Sequence, residues 1–215
     1  MSSVSPATRM KSDERRQLVL EAATSVFGER GYVGTTTDAV AKAAGVSQPY
    51  VVRMFGTKEA LFIAVLTRAL ERLLVAFRLA IAGEGPAHPS GSTDMHARLG
   101  AAYGELLSDR GLLLSLMHGF ILGSDPAIGA CARGGFLEVY RVLRDEAGFS
   151  AEETHEFLAH GMLLNTLIGI RMAADYETDP GARELLDTAL PTKLDFLLSL
   201  DAQPPGAAIA RTLGA

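Results

Sequence analysis

With 215 residues, 48% of them hydrophobic, and a single cysteine, Cys131, the chain has ample material for a core, no possible internal disulfide and no basis for a thiolate metal cluster. The mean hydropathy of +0.18 is slightly apolar, yet the longest weakly polar run, Gly111 to Gly123, contains His118 and falls short of the roughly 18–20 residues a membrane-spanning helix needs. The net charge of −5 is unevenly placed: residues 1–58 carry eight Lys/Arg against five Asp/Glu, and residues 59–215 carry twelve against twenty, the asymmetry of a basic head on an acidic body.

Residues 1–12 read as a flexible arm, rich in Ser, Thr and Pro, with no apolar block of the kind a secretory signal requires. A cytoplasmic protein without membrane association is therefore expected, and a hidden subunit interface accounts for the apolar excess. From Val19 the apolar positions Val19, Ala22, Ala23, Val26 and Phe27 fall at i, i+3, i+4, i+7 and i+8, predicting an amphipathic helix that Gly31 ends. Thr35, Thr36 and Thr37 offer capping oxygens for a short second helix up to Ala44. Gly45 tolerates positive φ after it. Ser47 then caps a third helix with Pro49 in its first turn, running to Phe55. Gly56 and Thr57 break and re-cap the chain before a long fourth helix to about Ala82.

A Gly/Pro/Ser-rich loop spans Gly83 to Ser92, and helical character resumes near Thr93. Asp125-Pro126 opens a helix ending at Gly148. Ser150 and Glu153 form a capping box before a helix reaching about Tyr176. Asp179-Pro180 opens a last helix ending near Leu200, followed by a flexible tail over 201–215. No stretch alternates like a strand, so the expected fold is all-α, with about nine helices. The expected divisions are 13–58 for the head and 59–200 for the body.

Residues 37–56 meet the steric needs of a helix-turn-helix. Ala41 is small where two helices cross, Gly45 suits the tight turn, and Val40, Ala44, Val46, Val51 and Met54 lie on the facing sides. Gln48, Pro49, Tyr50 and Arg53 then point outward. Gln pairs with adenine and Arg with guanine in the major groove of double-stranded DNA. Tyr50 suits a phosphate or a thymine methyl, and Lys58 a phosphate. The Thr35, Thr36 and Thr37 hydroxyls, Ser47 and the N–H groups of the second helix complete the candidate DNA-binding set.

The segment GYVGTTTDAVAKAAGVSQPYVVRMFGTKEALFIAVL resembles the DNA-binding head of the TetR family. The matching motifs are Gly31-Tyr32-Val33-Gly34-Thr35-Thr36, Val40-Ala41, Ala44-Gly45-Val46-Ser47, Val51-Val52-Arg53-Met54-Phe55 and Thr57-Lys58-Glu59-Ala60-Leu61. Two places depart from the family pattern. Val52 and Met54 stand where aromatics are usual, and Gln48-Pro49 where Lys-Gly is common. The resemblance covers about residues 13–66. It implies a transcriptional repressor that binds a palindromic operator as a homodimer through its last two long helices and is released by a small-molecule effector. Independently, Phe157 to Ile170 is apolar on more than one face, and Leu185, Leu186, Leu190, Leu194, Leu197 and Leu198 form a broad stripe. The resemblance further implies a ligand pocket among the middle helices. Candidate wall residues there are Tyr103, Leu107, Met117, His118, Phe120, Ile121, Phe136, Tyr140 and Asn165, which suit a mostly apolar effector.

Enzymatic chemistry has little support. Glu152-x-x-His155 has the spacing of one half of a di-iron site without the other half, and His155 and His160 are one residue too far apart for a zinc-protease pair. No catalytic residue, metal site or cofactor is expected.

Overall fold

A computed structural model describes residues 12–86, 94–107, 109–190 and 194. Over these residues the chain forms nine α-helices and no strand. They are α1 (Ser12–Gly34), α2 (Thr37–Ala43), α3 (Gln48–Phe55), α4 (Lys58–Ala82), α5 (Met95–Leu106), α6 (Arg110–Ile121), α7 (Pro126–Arg141), α8 (Ala151–Gly169) and α9 (Pro180–Ala189). A π-helical turn, Val142–Glu146, continues α7, and a 3-10 turn, Met172–Asp175, follows α8.

Seven of these helices start at a Thr, Asp or Ser whose side-chain oxygen accepts from an N–H of the first turn: Thr36, Thr57, Asp94, Asp109, Asp125, Ser150 and Asp179. Each such cap contributes about 1 kcal/mol. Ser150 and Glu153 complete the reciprocal capping box. Ser47 occupies the N-cap position of α3 but makes no capping hydrogen bond, contrary to expectation. At the other end, Gly83 closes α4 in the left-handed conformation, and Arg98 of α5 donates to the freed carbonyls of Ala80 and Ile81.

Three boundaries differ from the sequence reading. The chain breaks between α5 and α6, where Asp109 accepts from Leu112 N at 3.1 Å and pairs with Arg72 at 2.7 Å. The helix expected to reach Tyr176 stops at Gly169. Arg171 then takes φ 58° and the 3-10 turn folds Ala173 into the apolar cluster holding Leu164, Leu167 and Leu186. α9 ends at Ala189; its expected course toward Leu200, like the arm through residue 11, residues 87–92 of the loop and the tail over 201–215, lies outside the described residues apart from Leu194.

The main core joins the head to the body. Val19, Ala23 and Phe27 of α1, Val40 and Ala41 of α2, and Val51 of α3 pack with Leu61, Phe62, Val65 and Leu66 of α4, Leu112 and Leu116 of α6, and Ile128 of α7. α4 runs unbroken from one part to the other. α1 lies along α6 through small residues at matching intervals: Thr24, Gly28 and Gly31 face Ser115, Gly111 and His118. Ser115 Oγ donates to the Thr24 carbonyl at 3.3 Å, and a Cβ on Gly28 would stand 3.0 Å from the Gly111 Cα. His118 hydrogen-bonds the Gly28 backbone, while burial, the larger effect, holds its imidazole below the usual pKa.

Gly31 leaves the helix at φ 68°, ψ 175°, a region essentially closed to other residues, and a Cβ there would also meet His118 Cε1 at 3.3 Å. Gly31→Ala should therefore lower stability by about 1–3 kcal/mol, read as a fall in the denaturation midpoint. An unchanged midpoint would show that α1 need not turn here.

Candidate nucleic-acid interface and ligand cavity

The turn between α2 and α3 is set by steric need. Gly45 sits at φ 64°, and Val46 N donates back to the Ala41 carbonyl at 3.0 Å. Val40, Ala41, Ala44 and Val51 are buried, and Val46 packs against them. Behind them Phe27, Tyr32 and Phe62 form an aromatic cluster, with Phe27 and Phe62 centroids 4.9 Å apart and Tyr32 and Phe62 centroids 5.2 Å apart. α3 is thereby held with Ser47, Pro49, Val52 and Arg53 exposed and Gln48 and Tyr50 half-buried.

Tyr50 lies between two cations. The Arg53 guanidinium is 5.1 Å from its ring centroid, and that of Arg15, from the first turn of α1, is 6.0 Å away. Arg16 stands 5.2 Å over Phe55. Arg15 and Arg16 were not among the residues expected from the sequence. Their charge was legible, but their approach to α3 is tertiary and has no local signal.

Other expected contacts are redirected. Thr35 is fully buried, its hydroxyl shared between the carbonyls of Gly31 (2.7 Å) and Val26 (3.2 Å). It is a structural residue and cannot meet a phosphate. Thr36 caps α2 through Ala39 N, and Thr37 accepts Gln48 Nε2 at 3.2 Å. A two-point pairing of Gln48 with adenine would require that bond to break. Lys58 Nζ donates to the Tyr32 carbonyl at 3.0 Å and lies 4.5 Å over the Tyr32 ring, so it ties α4 to the end of α1 before it reaches any phosphate. Asp38 sits in the first turn of α2, paired with Lys42 at 2.8 Å, and opposes an anion there.

In the body a narrow cavity of about 50 Å³ opens between α4, α5, α6, α7 and α8. Of the nine expected wall residues, Tyr103, Phe120, Phe136 and Asn165 line it. The other five do not. Leu107 is buried in a separate cluster with Leu113 and Leu164, and Met117 packs on that cluster. His118 faces α1, and Ile121 and Tyr140 point outward, 73% and 39% exposed. Lining residues not expected include Leu73 and Phe77 of α4 and Phe157, Gly161 and Met162 of α8. Their apolar periodicity marked them as core, which gives no hint that a gap remains between them.

Residues 19–65 match the family model for bacterial regulatory proteins of the tetR family. The HTH-type transcriptional activator FasR of Mycolicibacterium smegmatis is 41% identical over 73 residues, 34% of this chain and 33% of that protein; the chain thus matches about a third of that relative's length. The HTH-type transcriptional repressor AcnR of Corynebacterium glutamicum is 25% identical over 201 residues, 91% of this chain and 86% of that protein. The crystal structure of a TetR-like transcriptional regulator from Rhodococcus sp. RHA1 shares the fold, with a TM-score of 0.56 and 21% identity over 90% of this chain and 96% of that one. Residues 19–65 thus resemble the head of the tetR-family regulators, and the all-α architecture of the described residues is the TetR-like fold.

Proposed function

We propose that the protein is a ligand-released transcriptional repressor that binds a two-fold symmetric DNA site as a homodimer. The observation that carries this reading is α3 itself. It is a helix fixed by a tight glycine turn, exposing Arg53 beside a tyrosine that also faces Arg15. Its exposed arginine is of the type that reads bases, and its flanking cations are of the type that meets phosphates. Arg53 takes the base-reading role and Arg15 and Arg16 the phosphate role, supported by Ser47. Repression is favoured by the likeness to AcnR over most of the chain, although FasR, similar over the head, is named an activator. The sign of regulation depends on where the DNA site lies.

The homodimer is supported by the outer face of α8, where Ala159, Leu163, Thr166 and Ile170 are exposed, and by Leu185 of α9. Leu163 is 40%, Ile170 60% and Leu185 38% exposed. Large aliphatic groups left bare at helical spacing suit a second copy of the chain. A single head of this kind contacts too little DNA for a specific site.

Two experiments test the reading. Selection from random duplexes should return a two-fold symmetric consensus, and Leu163→Glu should convert the protein to a monomer in sedimentation and abolish that selection while leaving the head folded. An asymmetric consensus, or a dimer that survives the substitution, would contradict the proposed assembly. Arg53→Ala should cost about 1–3 kcal/mol on the selected site and relax preference at one base pair, whereas Arg15→Ala should weaken all sequences alike. Equal effects of the two would remove the division of roles.

A further inference from the structure

The cavity has a definite chemical character. Its walls bring together two aromatic pairs. Phe120 and Phe136 meet edge to face at 5.8 Å, and Phe77 and Phe157 do the same at 5.8 Å. Among the described residues no Lys, Arg, Asp, Glu or His lines it. The side-chain hydrogen-bonding groups in the wall are the Tyr103 hydroxyl and the Asn165 amide, which meet at one end. Phe136, about a third exposed, stands where the cavity reaches the surface.

Asn165 is only 4% exposed. Its Oδ1 accepts the Tyr103 hydroxyl at 2.5 Å. Its Nδ2 has a single weak acceptor among the described residues, Met162 Sδ at 3.8 Å. A thioether accepts but cannot donate, so the N–H side of the amide belongs toward Met162, and the Tyr103 proton fixes the oxygen on the other side. One amide N–H is thus buried in an apolar wall without an oxygen or nitrogen to receive it. Such a donor carries a desolvation cost that a ligand oxygen would remove. Burial pushes the Tyr103 phenol up to about 12, against a smaller opposing effect of its bond to Asn165, so it stays neutral and adds no charge.

We infer that the cavity takes a neutral, largely aromatic molecule bearing one hydrogen-bond acceptor, whose oxygen meets Asn165 Nδ2 while its rings lie among the four phenylalanines. This names the effector class for the ligand-released regulator proposed above and rests on that reading. Anions and cations are selected against, because the wall offers neither a counter-ion nor enough polar groups to replace their hydration. The cavity's volume of about 50 Å³ is below the range of sites for small organic ligands, so its aromatic walls must part as the ligand enters.

The test uses three probes of one shape: benzophenone (a bridging carbonyl), diphenylmethane (a bridging methylene) and diphenylacetate (a carboxylate on the bridge). Each is titrated calorimetrically into the full chain without DNA. Benzophenone should bind about ten-fold tighter than diphenylmethane, the worth of one buried hydrogen bond, and diphenylacetate should be the weakest. Asn165→Leu should bring the ketone and the hydrocarbon within about two-fold of each other. Met162→Leu conserves volume and removes the weak acceptor that the amide N–H has among the described residues, so it should keep or widen the ketone's advantage. The wild-type ratio stands without either variant. Failure of all three probes to bind, a preference for diphenylacetate, or a ketone no better than the hydrocarbon would overturn the inference. So would an advantage that survives Asn165→Leu or narrows in Met162→Leu. A chain that binds benzophenone but no DNA keeps this inference and loses the regulator reading; one that binds DNA but prefers the carboxylate does the reverse.

Discussion

Everything in the molecule is arranged around the seam between α1 and α6. α1 belongs to the head by its apolar face, where Val19, Ala23 and Phe27 are buried with Val40, Val51 and Phe62. It belongs to the body by the glycine-lined face set against Gly111, Ser115 and His118. Two helices approach this closely only where Cβ atoms are missing, and Gly28 against Gly111 supplies that place. The hydrogen bonds at Thr24 and Gly28 then satisfy polar groups in a seam with little room for water. Because the main apolar core also crosses from head to body, α3 is held relative to α6 by packing as well as by the continuous α4.

α6 has a second face. Leu116 and Phe120 line the cavity while Ser115 and His118 hold α1. The helix that would feel a molecule in the cavity is therefore the helix that carries the head. A ligand can shift the position of the head only by the difference in its affinity for two arrangements of these helices. The unfilled space and the underused amide of Asn165 lie directly against the element whose displacement would matter most.

Much of this was legible in the sequence. The helix-turn-helix could be read because each position answers a local steric rule: Gly45 for positive φ, Ala41 for close approach, Pro49 for the first turn of α3. The capping residues Asp125, Ser150 and Asp179 marked helix starts for the same reason. What was not legible is tertiary. Thr35 looked like a free capping hydroxyl but is closed in against the end of α1. Gln48 and Lys58 looked outward by helical phase, yet hydrogen bonds to Thr37 and Tyr32 draw them back. Arg15 reaches Tyr50 only because the fold brings the first turn of α1 near α3. In the body, a residue lining a cavity and a residue filling a core obey the same apolar spacing, so Phe120 and Asn165 could be anticipated while Leu107 and Ile121 could not be told apart from them. The end of α8 at Gly169 depends on where Ala173 finds its neighbours, which no local pattern records.

In the proposed function this head engages DNA by reading sequence on top of phosphate attraction. The most direct measurement is equilibrium binding of the purified full chain to DNA from its own upstream region and to random-sequence DNA of equal length, across a salt series. Both affinities should fall steeply as salt rises, from release of phosphate counterions, and the upstream DNA should keep an advantage of about a thousand-fold or more at physiological salt. Equal affinity for the two DNAs at every salt concentration, or no binding even at low salt, would contradict the proposed function.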